Sequence, residues 1–187
     1  GRFFICLQPQ VDMRSGEVVC AEALARCRDG EGAVTQPSAF VHAFETLGIV
    51  RELDYFVLDK AYQTIESWIS RGIKPVPVSV NFSRQTLLSS TVLASVLAIR
   101  SRFDVPDEMV RIEVAESSGD YDPGPILESM KAMSELGFRF ILDGLASEYS
   151  NLQAIGDLPI DEVKLDRPLV GNFLFNSMSR SVIESVV

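Results

Sequence analysis

The chain predicts an α/β fold, a TIM-like (β/α)8 barrel, on three grounds. Short apolar runs of strand length alternate with longer stretches whose apolar residues recur at helical spacing. The strand-like runs end in polar residues, Asn81, Glu113, Asp143 and Lys164, which lie 32, 30 and 21 residues apart, near the ~30 residues of a β-α-β unit. Hydrophobic residues make up 47% of the 187 positions, enough for one sizeable core. In a barrel of this kind the C-terminal strand ends carry the site.

Taken in order, residues 3–12 and 17–26 read as two strands joined by a turn at Met13-Arg14-Ser15-Gly16. The second alternates: Val18, Cys20, Glu22, Leu24 and Arg26 share one face, while Val19, Ala21, Ala23 and Ala25 form a small apolar face. After a polar loop, Pro37 opens a helix in which Phe40, Phe44 and Leu47 recur until Gly48. Leu53, Phe56, Val57, Ala61, Ile65 and Trp68 mark a longer amphipathic helix ended by Gly72. Val76 to Asn81 is a strand, Thr91 to Arg102 a helix, and Val110 to Ala115 a strand. The next helix has Asp122 as N-cap, Pro123 at its first position, Ile126, Met130 and Met133 on one face, and Gly137 after its end. Phe138–Asp143 and Ile160–Leu165 are the last two strands, and Ser179, Val182, Ile183 and Val186 begin a final helix. A barrel of this class typically takes ~250 residues. The chain therefore reads as one domain over 1–187, truncated at the C-terminus by about 60 residues, two βα units.

Composition narrows the function classes. A net charge of -9 argues against a nucleic-acid polymer as partner, while still admitting one small anion if a metal or a few Arg and Lys invert the field locally. No apolar run reaches the ~18 residues of a membrane span, so no membrane contact by this domain is expected. Cys6, Cys20 and Cys27 have no metal-ligand spacing and read as reduced thiols, which favours the cytoplasm. The single histidine, His42, reads as a surface helix residue. A metal must then sit on oxygen ligands, as Mg²⁺, Mn²⁺ or Ca²⁺ does.

Alternation places Ser79 with Asn81, Arg111 with Glu113, Arg139 and Ile141 with Asp143, and Lys164 with Asp166 on inward faces. With Glu22 added, the mouth collects hard oxygen donors from separate strands, a pattern suited to an octahedral divalent ion. The bland alternative is a satisfied polar layer inside the barrel.

The motifs then become specific. Glu22-Ala23-Leu24 with Arg26 two positions on, Gln8-Pro9, Asn81 to Ser83 (NFS), Glu113 to Ser117 (EVAES), Leu142 to Gly144 (LDG), Tyr149 to Leu152 (YSNL), Leu158-Pro159 and Lys164 to Arg167 (KLDR) run in one order across nearly the whole chain. This set resembles the EAL domain family of cyclic-di-GMP phosphodiesterases. The resemblance implies a barrel of the EAL type. Its metal ligands would be Glu22, Asn81, Glu113 and Asp143, with Glu22 and Lys164 in catalytic roles, Lys164 on the water and phosphate. Asp166 would lie beside a second metal position, and Gln8, Arg26 and Asp166 would meet the dinucleotide. It also implies Mg²⁺ or Mn²⁺ as cofactor, water activated for attack on one phosphodiester, and linear pGpG as product. As partners it allows cyclic-di-GMP, a homodimer, and fused sensor or GGDEF domains.

One stretch departs from the family. Members that hydrolyse carry DDFGTGYS where this chain has Asp143-Gly144-Leu145-Ala146-Ser147-Glu148-Tyr149-Ser150. Gly144 stands where the second aspartate would bind a second metal, so one metal site at most is expected. Leu145, Ala146 and Glu148 replace residues of the loop that, in that family, couples dimerisation to metal binding. Glu148 is a candidate substitute carboxylate, and Glu116 falls on the face opposite Glu113. The leading expectation is a degenerate cyclic-di-GMP-binding regulatory module. An active Mg²⁺/Mn²⁺ phosphodiesterase and a ligand-free protein-interaction domain are the alternatives.

Overall fold

The computed structural model describes residues 2–115, 124–145 and 158–186. One seven-stranded sheet organises them. Strands β1 (Phe3–Val11) and β2 (Val18–Arg28) form an antiparallel hairpin in which Phe4 lies level with Arg26 and Gln8 with Glu22. Asp12 closes the turn, its carboxylate accepting the backbone N–H groups of Arg14 at 2.8 Å and Ser15 at 2.7 Å. A two-residue strand, β3 (Val34–Thr35), pairs with the end of β2. From β2 the sheet runs parallel through β4 (Val78–Phe82), β5 (Val110–Ala115), β6 (Arg139–Leu145) and β7 (Glu162–Leu165). The α/β architecture is the expected one. Among the described residues the sheet is an open arc with β1 and β7 at its edges.

Helix α1 (Val41–Thr46) is followed by the long α2 (Val50–Ser70). Val50, Leu53, Val57, Leu58, Ala61, Tyr62 and Ile65 recur every three or four residues and are all buried, so α2 turns one continuous stripe to the sheet. It lies over β4 and β2. The small outer face of β2, Ala21, Ala23 and Ala25, is buried, in keeping with its alternation. Each fully buried side chain such as Leu58 or Ile65 contributes roughly 1.5–3 kcal/mol through apolar burial. The remaining helices are α3 (Arg84–Leu87), α4 (Val92–Arg100), α5 (Gly124–Glu135), α6 (Arg167–Gly171) and α7 (Ser177–Val186). Met130 and Met133 of α5 are wholly buried. Among the described residues no helix is long and apolar enough to cross a membrane.

Several boundaries differ from the sequence reading, each for a local reason. The helix expected from Pro37 to Gly48 is a 3-10 turn over Pro37–Ala39 and then α1, broken where Phe40 takes a φ of -136°. Phe40 and Phe44 still pack on Phe3, with ring centroids 5.3 and 5.7 Å away. The strand expected from Val76 begins at Val78, because Pro77 has no N–H for the ladder. Its carbonyl instead accepts the Ala21 N–H at 2.9 Å. The last strand begins at Glu162; just before it Asp161 binds β6 in another way, its N–H donating to the Phe140 carbonyl at 2.9 Å while its carboxylate accepts the Phe140 N–H at 2.9 Å. Short β3 and α3 went unread, and α4 is tighter than the expected 91–102. Asp122 and Pro123 lie outside the described residues.

Asp54 is the anomaly in the α2 stripe. It is 6% exposed, and its Oδ2 accepts the Ser83 N–H at 2.7 Å and the Thr86 hydroxyl at 2.6 Å. Burial pushes its carboxyl up to about 6, with the Thr86 and Ser83 hydrogen bonds pulling the other way. A carboxyl raised in the folded state stabilises below its unfolded pKa, and that stability is lost as pH rises through the folded value. The Asp54→Asn variant should therefore gain on the parent by about 2 kcal/mol between pH 4 and pH 7.5. Chemical denaturation at both pH values measures this, and a difference that stays flat with pH would contradict it.

Candidate functional site

The sheet register brings the inward-facing polar residues together from strands far apart in sequence. Ser79 is level with Glu22 across β2 and β4, Asn81 with Glu113 across β4 and β5, and Asp143 with Lys164 across β6 and β7. At the centre Lys164 Nζ donates to Glu22 Oε2 at 2.8 Å and to Glu113 Oε1 at 2.5 Å. Asn81 Nδ2 donates to Glu22 Oε1 at 2.9 Å. Four of the residues expected at the barrel mouth, from β2, β4, β5 and β7, thus form one hydrogen-bonded hub.

The hub is electrostatically tense. Glu113 is wholly buried, and burial pushes its carboxyl above the ordinary range while the Lys164 ammonium opposes that rise. Burial works against the charge on Lys164 as well, yet hydrogen bonds to Glu113 and Glu22 carry its pKa above the ordinary lysine value. Lys164 is therefore an ammonium whose charge both carboxylates require. Among the described residues, Glu113 Oε2 and the Ser79 hydroxyl are buried without a well-formed hydrogen bond, although Ser79 lies close enough to help hold the Glu113 carboxyl down; this marks an incompletely met polar demand on this side of the hub.

The remaining site candidates are placed less tightly. Gln8 is exposed on β1, level with Glu22. Arg26 lies four residues up β2 from Glu22 and donates to the Ala25 carbonyl at 2.8 Å. Asp166 stands at the N-terminus of α6 without capping it. Asp143 is half-buried, and its side chain makes no hydrogen bond or ion pair with another described residue; it is Ile141 that lies level with Glu113. Next to it, Gly144 sits within β6 at a φ of 82°, where the register with β7 slips by one residue between Asp143 and Leu145. A Cβ built there would meet nothing within 4 Å. Glu116 and Glu148 lie outside the described residues.

The donor set tests the expected metal. Glu22, Asn81 and Glu113 offer only hard oxygen atoms, and an orphaned, buried carboxylate oxygen is among them. These residues fit Mg²⁺ or Mn²⁺ and offer nothing to a soft metal. Among the described residues no three Asp, Glu, His or Cys side chains already form a cluster around one point. His42 projects into solvent, and the three cysteines are free thiols.

Beside the hub opens a cavity of about 420 Å³, lined among others by Glu22, Leu24, Val41, Leu53, Asp54 and Asn81. Asp54 escaped the sequence reading. Its signal was an acidic residue inside the apolar helix stripe, three residues ahead of Val57. Thr86, which Asp54 holds, also went unread, and Ser83 entered only as the end of the NFS motif; Ser83 caps α3 by accepting the Thr86 N–H at 3.2 Å.

Comparison with known proteins gives the hub a lineage. The EAL domain family model matches residues 1–187. The cyclic di-GMP phosphodiesterase RocR of Pseudomonas aeruginosa is 27% identical over 187 residues, covering 100% of this chain and 47% of its own. The PaMucR phosphodiesterase in complex with c-di-GMP is similar in fold at a TM-score of 0.87 and 23% identity, covering 98% of this chain and 74% of that one. The FimX EAL domain of Xanthomonas citri, in complex with c-diGMP, is similar at a TM-score of 0.85 and 19% identity, covering 99% and 72%. The chain spans 23% to 47% of the length of three curated relatives that it matches. Matched along its whole length by that model, with the fold of solved EAL structures, the chain belongs to the EAL domain family.

Proposed function

We propose that this domain is a cyclic-di-GMP receptor, a regulatory module with little or no hydrolytic activity. The observation that carries the reading is a polar hub kept intact beside a strand position that lacks a carboxylate. Glu22, Asn81, Glu113 and Lys164 are hydrogen-bonded together on the inner face of the sheet, while Gly144 follows Asp143 with no side chain. Family membership and the c-di-GMP complexes of PaMucR and FimX support the ligand.

On this reading Glu22, Asn81, Glu113 and Asp143 hold one Mg²⁺ or Mn²⁺, whose chemistry when bound is Lewis-acid polarisation of a phosphate oxygen and acidification of water. Lys164 turns its ammonium toward a phosphate oxygen. Arg26 and Gln8 sit on the same face of the β1–β2 hairpin as Glu22, since alternate residues of β2 share a face and Gln8 is level with Glu22. Asp166, at the start of α6, meets the dinucleotide. Gly144 contributes no negative ligand, so a second cation here would face the repulsion of the first without the carboxylate that offsets it.

Calorimetry, turnover, metal stoichiometry and thermal melts test this. In the full-length protein with Mn²⁺, calorimetry should register cyclic-di-GMP binding that Arg26→Ala weakens by roughly 1.5–3 kcal/mol, the worth of a charge-assisted hydrogen bond. No heat at millimolar ligand would sink the receptor reading. Hydrolysis should stay near background, and rapid conversion to pGpG by the unmutated protein would establish the enzyme alternative instead. Gly144→Asp should raise metal stoichiometry toward two, at a backbone cost of about 1 kcal/mol for a side chain at positive φ. A stoichiometry unchanged from the parent counts against Gly144 as the missing ligand. Finally, Lys164→Met leaves two carboxylates without their cation, one of them buried, and should cost about 3–5 kcal/mol. Mn²⁺ should restore much of that loss in thermal melts, and a melt indifferent to Mn²⁺ would argue against a cation site at the hub.

A further inference from the structure

Asn81 reaches the hub from the end of β4, and the segment after it is held from α2. Asp54 Oδ2 accepts the Ser83 N–H at 2.7 Å and the Thr86 hydroxyl at 2.6 Å, and the Ser83 and Thr86 hydroxyls are themselves 2.9 Å apart. A single buried oxygen thus fixes both ends of the turn that starts α3. Ser83 is two residues from Asn81, whose Nδ2 bonds Glu22. Between them Phe82 packs edge-on against Tyr55, with ring centroids 6.2 Å apart. Tyr55 is the next residue after Asp54, so one turn of α2 grips the segment twice. No Arg, Lys or His bonds Asp54 among the described residues; its hydrogen-bond partners there are the two donors of this turn. Burying a carboxylate without a cation is costly, and helix packing alone would be served better by an apolar side chain in the stripe.

We propose that Asp54 is a positioning residue for Asn81: by clamping Ser83 and Thr86 it sets the angle at which the Asn81 amide meets Glu22 and a bound cation. The part concerning the cation rests on the proposed metal site at the hub; the clamp on Asn81 does not. Loss of an outer partner that orients a ligating side chain typically weakens metal binding about 10–100-fold.

The test uses the full-length protein with asparagine-selective ¹⁵N labelling, the Asn81 side-chain amide signal being assigned by Asn81→Gln. In the metal-free and ligand-free protein, Asp54→Ala and Thr86→Val should both shift that signal. Asp54→Asn, which keeps an acceptor oxygen, should return it toward the parent position. Gln85→Ala removes a different bond from the same segment, the one to the Glu45 carbonyl at 2.9 Å, and should leave the signal in place. Mn²⁺ titration followed by electron paramagnetic resonance should then give an affinity about tenfold weaker in Thr86→Val. Should Asp54→Ala fail to fold, Thr86→Val carries the test alone. An Asn81 signal unmoved by Thr86→Val overturns the proposal whatever happens to affinity, and so does an equal shift in Gln85→Ala. If the parent binds no Mn²⁺, the metal reading of the hub fails while the amide signal still decides the clamp.

Discussion

Glu113 is a carboxylate with no access to water, and the Lys164 ammonium at 2.5 Å is what allows it to stay charged there. An unpaired buried charge costs several kcal/mol, so the pair acts as a condition on the fold: β7 must reach β5 for either charge to be tolerated. The same ammonium reaches Glu22 on β2, 142 residues earlier. Three strands of the sheet are thereby fastened to one another by one cation. The fastening lies on the inner face only. The outer face of the sheet is secured separately, by α2 lying over β4 and β2 and by α5 with its buried methionines. Core and hub are thus divided between the two faces of the same strands, as alternation requires. A substitution at the hub can change chemistry without emptying the core.

A second polar layer runs beneath the first. Arg111, two residues before Glu113, is paired with Glu162, and Arg139 with Asp161. These pairs sit toward the N-terminal ends of β5, β6 and β7, on the side away from the ligand-bearing mouth. They follow the general division in such folds, where the C-terminal ends of strands carry chemistry and the N-terminal ends carry stability. The half-exposed partners on this layer contribute little each. Their role is to fill an interior whose strand faces are polar at two levels in succession.

Most of this was legible from residues alone, because period-two alternation and strand spacing are local signals. The identity of every strand but the two-residue β3, the inward face of each, and the meeting of Glu22, Asn81, Glu113 and Lys164 followed from alternation and spacing. What escaped depended on long-range geometry. Nothing local in Lys164 says that it will bridge two carboxylates; that depends on the stagger between β2, β5 and β7. Asp54 was hidden because an amphipathic stripe is read from its apolar members, and one buried acid inside it looks like a flaw in the pattern until Ser83 and Thr86 are seen opposite. Prolines told the opposite story: Pro77 shortened a strand by a rule visible in the sequence, and Pro37 marked the start of a helical turn that broke three residues later.

Gly144 shows why a missing side chain has two explanations that must be separated. As a residue type it removes a carboxylate next to Asp143. As a backbone it supplies the positive φ at which β6 slips its register against β7. An L-residue there meets no steric neighbour but must adopt a conformation that costs it roughly 1–2 kcal/mol, less for Asp and Asn, whose short side chains bond locally. The open space means that a carboxylate could be housed at this position, and the φ means that aspartate is among the few residues to occupy it cheaply. Glycine here is consequently not forced by packing. The bulge explains why glycine is comfortable, and it leaves the absence of the carboxylate as a chemical difference at the edge of the hub, beside Asp143, whose side chain lies outside the hydrogen-bonded set.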